Sequence, residues 1–236
     1  TMNTQTILNM INNNEIEKLK AALQEEIYQK ELKKTSGKAS RYKALKNYFK
    51  YSENKDWCSY PYANYEYNEK KYTAFTDLYS CGITTESFNI KSYQDAIAEK
   101  GETEEKKPYF NLKPFLDKIT DAPSNETLLQ ENNLDKYISL AKSKGYKIVK
   151  KMYNNKLNEY MFFLKIGGVY FNMALVEKAY NIIKATKEEL NICYSETNKM
   201  LYLKNNLGMV LIMGMYLPDL VKNEKVIEIP LALDGE

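Results

Sequence analysis

Apolar positions recurring every three or four residues predict a series of helices. Ile16, Leu19, Leu23 and Ile27 form such a face within Asn14 to Lys34. Asn14 suits the N-cap, Glu15 and Glu17 the positive end, and Lys30, Lys33 and Lys34 the negative one, before Thr35-Ser36-Gly37 stops the run. The pattern predicts a helix packed on its own domain; an arm or dimerisation helix is the other reading. Tyr42, Leu45 and Phe49 predict a second helix from Ser40 to Lys50. Leu134, Ile138 and Ala141 predict another up to Ser143, and Leu112, Phe115 and Leu116 a helical turn or two. Asn172 caps the broadest stripe, made by Leu175, Val176, Ala179, Ile182 and Ile183.

Alternation and β-branched or aromatic content predict strands at Tyr62–Tyr67, Lys71–Thr76 and Tyr79–Thr84, and again at Leu190–Tyr194, Met200–Asn205 and Met209–Tyr216. Met209–Tyr216 is apolar throughout, as in a strand buried on both faces. Gly145–Met152 and Tyr160–Val169 read as two strands joined by a hairpin over Asn154-Asn155-Lys156, and Val226–Leu233 as a strand in the tail. The order helix then three strands therefore occurs twice, over equal spans from Ser40 to Thr84 and from Asn172 to Tyr216. Two such halves can pair strands and share a core.

Composition narrows the chemistry. There is no histidine, which excludes His bases, Ser-His-Asp and Cys-His nucleophile systems and His-containing metal sites. Cys58, Cys81 and Cys193 make neither an even disulfide framework nor a C-x-x-C zinc pair. No carboxylate spacing recommends acid–base chemistry, so the expectation is a non-enzymatic protein with no catalytic residue, metal or cofactor. The 34 basic and 31 acidic side chains leave a net charge of +3, too little to announce a nucleic-acid binder. Arg41 is the only arginine, so DNA contact would rest on lysine and be sequence-independent. The absence of a long apolar run or a leader predicts a cytoplasmic protein without membrane attachment.

The stretch Tyr170-Phe171-Asn172, a helix, Leu190 to Tyr194, Leu201-Tyr202-Leu203 and Val210 to Leu217 resembles the last domain of bacterial DNA polymerase sliding clamps. There a Phe-Asn step opens a helix and the chain closes in Met-Pro-Met-Arg-Leu; Met213, Met215 and Leu217 stand at the matching places. The run Lys71 to Asp77 is similar to the first half of clamp-like modules in uncharacterised proteins of low-GC Gram-positive bacteria and their mobile elements. Gly214 replaces the proline and Tyr216 the arginine of that closing motif, and one clamp-type domain stands where the family has three.

The resemblance implies an α+β, DNA-clamp-like fold of two αβββ halves, with antiparallel sheets, helices on one face and an added N-terminal helix. The corresponding divisions are residues 1–37 (helical arm), 38–124 and 125–218 (the two halves) and 219–236 (tail strand). It also implies an apolar pocket for short peptides of replication or repair proteins. Met213, Met215 and Leu217 would contribute to it, unless the methionines are core residues of a central strand. Double-stranded DNA would meet Arg41, Lys43, Lys46 and Lys50 on one helix and Lys178 and Lys184 on the other, unless these lysines only solubilise. The implied function is a clamp-like replication or repair accessory, or a mobile-element protein, able to form homo-oligomers. The alternative is a phage- or plasmid-derived inhibitor that binds a host factor. Tyr60, Tyr62, Tyr65, Tyr67, Tyr72 and Tyr79 suit a stacking platform for single-stranded nucleic acid, a protein-binding hot spot or half-buried sheet positions.

Overall fold

Asn172 starts a helix as its position predicts, its side chain accepting from the Ala174 amide at 2.9 Å. Asn111 acts similarly ahead of Lys113-Pro114, accepting from the Lys113 amide, with proline tolerated in the first turn. The computed structural model describes residues 5, 8, 10–11, 15–32, 37–50, 56–120, 127–128, 134–148, 161–184, 190–215 and 223–229. Its helices are α1 (Ile16–Leu32), α2 (Lys38–Lys50), α3 (Asp56–Ser59), α4 (Tyr93–Ala98), α5 (Lys113–Thr120), α6 (Asp135–Ser143) and α7 (Met173–Ile183). The strands are β1 (Tyr62–Tyr67), β2 (Lys70–Thr76), β3 (Ser80–Thr84), β4 (Thr127–Leu128), β5 (Phe163–Ile166), β6 (Val169–Asn172), β7 (Asn191–Ser195), β8 (Met200–Asn205), β9 (Gly208–Met213) and β10 (Val226–Ile229). The fold is mixed α+β, and none of the described helices is long and apolar enough to cross a membrane.

The main sheet has the order β1-β2-β3-β9-β8-β7-β4, antiparallel throughout. Each helix-led unit forms a three-stranded meander, and the third strands join as the pair β3–β9, from Ser80↔Ile212 to Thr84↔Gly208. Read from either edge, the order is the same up to β4. Both flanks of β9 are occupied, so alternate residues face two cores. Val210 and Ile212 belong to the core that holds Leu45 and Tyr48 of α2 and Leu175 and Ala179 of α7, whereas Met209 and Leu211 belong to the core that holds Leu116 of α5 and Leu112 just before it. Helices therefore lie on both faces of the sheet, which corrects the expectation of a single helical face. Leu112, Leu116 and Ile119 are buried there because the first half's strands leave an apolar face that water would otherwise cover.

Several boundaries differ from expectation. The strand expected over Tyr160–Val169 is a hairpin, β5–β6, turned at Gly167-Gly168 with φ of 52° and 79°. Two successive positive φ angles suit a tight hairpin turn, and adjacent glycines meet that need without a Cβ penalty. Residues 145–148 are not strand, and the hairpin expected over Asn154-Asn155-Lys156 lies outside the described residues. β10 does form from the tail, pairing parallel with β5 in a second sheet of order β10-β5-β6. Helix α4 opens with a Ser92/Asp95 capping box.

The last central strand stops at Met213 rather than Tyr216. At Gly214 the chain crosses to the second sheet, where Met215 exchanges backbone hydrogen bonds with Tyr170. The Gly214 amide donates to the Lys199 carbonyl at 2.9 Å, and a Cβ there would lie 2.6 Å from that oxygen and 2.3 Å from a Val169 methyl. Proline is doubly excluded, lacking the N–H and bringing added bulk.

Candidate functional site: an apolar cleft beside Met213

The turn between β2 and β3 is the first wall of a shallow, open cleft. Leu78 occupies it with φ +78°, a conformation unfavourable to a branched L-residue. Asp77 stabilises the turn: its Oδ1 accepts from the Ser80 amide and hydroxyl, both at 2.8 Å, and from the Tyr79 amide at 3.3 Å. The Leu78 amide donates to Thr76 Oγ1 at 3.3 Å. Strain held by surrounding bonds is a frequent attribute of functional turns.

What holds Asp77 comes from the other half of the chain. Lys178 of α7 donates to Asp77 Oδ2 at 2.9 Å, with both side chains 2% exposed. The Tyr48 ring of α2 lies 4.8 Å from the Lys178 ammonium, and its hydroxyl meets the Ser80 carbonyl and hydroxyl at 3.0 and 2.9 Å. Burial, reinforced by the Asp77 charge, holds the Tyr48 phenol well above its ordinary pKa, so it remains a neutral donor. The strained turn is thus pinned by the helices of both units.

The remaining walls are Phe110 and Phe115, stacked with centroids 5.7 Å apart, together with Leu211 and Met213 of β9. Lys118 stands over the Phe115 ring, its ammonium 5.9 Å from the ring centre. The cleft is shallow, with enclosed room for about one water molecule, and it offers a partner an apolar surface rather than a deep pocket. Cys81 also lines it, but burial, aided by Asp77, pushes its thiol up to about 12. It is a protonated packing group at neutral pH, without thiolate reactivity. No group of three or more His, Cys, Asp or Glu among the described residues is placed to hold a metal ion.

Of the three residues expected in a peptide pocket, the structure brings only Met213 to the cleft. Met215 is half-buried against the second sheet, and Leu217 lies outside the described residues. Leu78, Phe110 and Phe115 were not expected there. The only advance signal was Phe115 in a short helical pattern, which says nothing about where that helix docks.

The chain matches no protein-family model, no curated protein and no solved structure.

The expected DNA-contacting residues divide sharply. Arg41 is 4% exposed, its Nε and Nη2 donating to the two carboxylate oxygens of Glu86 at 2.5 and 2.7 Å. Arg41 and Lys178 are internal counter-ions, and this corrects their assignment as phosphate contacts. Lys184 pairs with Asp135 of α6, and α6 adds Lys142–Glu177 at 2.5 Å, so α7 is enclosed on its outer side as well. All residues of α7 except the half-buried Asn181 are buried, so it is a core helix whose Glu177 and Lys178 are charge-paired inside the protein. On α2, Lys43, Lys46 and Lys50 are all exposed, and Lys46 sits over the Tyr42 ring at 5.1 Å and within 3.5 Å of Glu25 of α1.

The tyrosines are mostly half-buried, and Tyr67 is buried. Tyr62 contacts Tyr65, Tyr93 and Tyr109, with centroids 4.8 to 6.5 Å apart, so these rings pack on one another and not around an open slot.

Proposed function

We propose that this is a non-enzymatic, clamp-like accessory protein of DNA replication or repair, or of a mobile element, which holds short apolar segments of protein partners in the cleft beside Met213. The observation that carries the reading is the join of two helix-plus-meander units at β3–β9, with Met213 at the end of β9 opening onto an aromatic-walled cleft. Thioether and phenyl walls adapt to varied apolar side chains, and the Lys118 charge over the Phe115 ring favours an acidic residue beside the anchor. DNA contact, in this reading, is left to exposed lysines such as Lys43 and Lys50 and is sequence-independent.

A second reading, an inhibitor that binds one host protein, draws support from the enclosure of α7 and the α1 contact on α2. Both cover surfaces that would otherwise face a nucleic acid. Retention on nicked circular DNA separates the two: the accessory reading expects salt-sensitive retention, the inhibitor reading none.

Fluorescence anisotropy with a labelled peptide of the Glu228–Leu233 sequence, which carries an acid and spaced aliphatics, tests the cleft directly. Met213→Glu and Phe110→Ala are each expected to weaken binding at least about tenfold, equal to 1.4 kcal/mol. Met213 and Phe110 are only partly buried, so circular dichroism should show unchanged folding. Equal affinity in the wild type and both variants would eliminate the cleft as the binding site.

A further inference from the structure

Among the described residues, six large hydrophobic side chains are exposed, and five of them, Leu8, Ile11, Ile16, Leu23 and Ile27, fall in the first 27 positions. On α1 they do not face the protein. Ile16 is 58%, Leu23 41% and Ile27 58% exposed. At about 100° per residue these three share one side of the helix, and Glu25 lies on the opposite side. That opposite side makes the internal contacts: Glu25 accepts from the Tyr42 hydroxyl at 2.8 Å, and Tyr28 packs edge-on against Tyr42 and accepts from the Asn89 amide at 3.0 Å. Helix α1 therefore reverses the usual amphipathic sense, with acidic and phenolic groups inward and an aliphatic stripe outward. The expectation that its apolar face packs on its own domain is corrected for Ile16, Leu23 and Ile27, which point away from the contact side, whereas Leu19 is half-buried.

We propose that this stripe is covered by the α1 of a second copy of the chain, running antiparallel and centred on Leu23. A patch crossed by its own two-fold axis must complement itself. The charges favour one direction. Glu15 and Glu17 stand at the start of α1 and Lys30 in its last turn. An antiparallel partner centred on Leu23 sets Lys30 of each helix level with Glu15 and Ile16 of the other, at both ends of the pair. It also sets the positive dipole end of one helix beside the negative end of the other. A parallel pair would put like charges and like dipole ends abreast. Ile27 of one copy then comes level with Leu19 of the other, and the aliphatic stem of Lys20 lies along the seam with its charge in water. This interface uses no residue of the Met213 cleft and stands independently of the function proposed above.

Light scattering on the full chain is the first test, and the expected mass is twice the 27.6 kDa of one chain. Leu23→Glu and Ile27→Glu should raise the dimer dissociation constant at least about tenfold without lowering the melting midpoint, because both positions face water in the monomer. Direction is tested by oxidative cross-linking in a Cys193→Ser background, Cys58 and Cys81 being buried. Leu23→Cys lies on the two-fold and should cross-link. Ile16→Cys should not, because its symmetry mate lies roughly 20 Å away along the helix at ~1.5 Å per residue, well beyond disulfide reach. A monomeric wild type at micromolar to 100 µM protein, a dimer indifferent to Leu23→Glu, or cross-linking of Ile16→Cys as ready as that of Leu23→Cys would each overturn the proposal.

Discussion

Replacing Lys178 with methionine should lower folding stability by roughly 3–5 kcal/mol, because it leaves the Asp77 carboxylate buried without its cation. Methionine keeps the volume and the apolar stem, so lost packing contributes little. Urea denaturation of the variant should show a large fall in midpoint. The double variant Lys178→Met with Asp77→Asn should recover a substantial part of the loss, since neither charge is then present. A fall below about 1 kcal/mol would mean that the pair is not desolvated as the structure places it. The recovery by the double variant distinguishes an uncompensated charge from a merely deleted contact. The effect should reach the cleft too, because Asp77 organises the strained Leu78 turn. At temperatures where Lys178→Met remains folded, peptide affinity should fall although residue 178 does not line the cleft.

The second large effect is expected at the seam between the two units. Gly82 and Gly208 both sit in the β3–β9 pair. A Cβ on Gly208 would lie 2.0 Å from the Ile83 carbonyl oxygen, and one on Gly82 would lie 2.6 Å from the Met209 carbonyl oxygen and 2.7 Å from the Phe75 ring. Backbone is the obstacle in each case, so side-chain repacking cannot relieve it. Gly208→Ala should therefore cost at least about 3 kcal/mol, at the upper end of overpacking penalties, and Gly82→Ala nearly as much. Gly101→Ala is the control: nothing lies within 4 Å of its Cβ position, and its φ of +71° adds only a conformational cost of roughly 1–2 kcal/mol. Thermal melts of the three variants provide the ranking. If Gly208→Ala melts no lower than Gly101→Ala, the two meanders do not share the observed sheet.

The repeated order of one helix and three strands was legible because its periodicities are local. Asn172 and the stripe from Leu175 to Ile183 identify α7, and the unbroken apolar run from Met209 identifies a strand with two buried faces. The cleft was less legible. Met213 was expected only through the resemblance of its strand to the closing strand of sliding clamps. Phe110 and Phe115 lie about a hundred residues earlier, and no spacing in the chain connects them to β9. Charge misled most. Arg41 and Lys178 occur at helical spacings that suit an exposed basic face, yet each lies opposite a carboxylate far away in sequence. Burial of a paired cation cannot be read from the cation's own neighbours.

Local sequence thus determined the elements, their duplication and the lack of histidine-based chemistry, since these follow from side-chain period and residue type alone. Tertiary structure decided which strands met, placing Gly82 and Gly208 where two backbones come too close for a side chain. It also decided that α7 lies inside the protein and that α1 turns its aliphatic stripe outward. Period reports that a helix has two unlike faces. Which face turns inward depends on the partners available, and for α1 the phenolic and charged groups of α2 select the polar one.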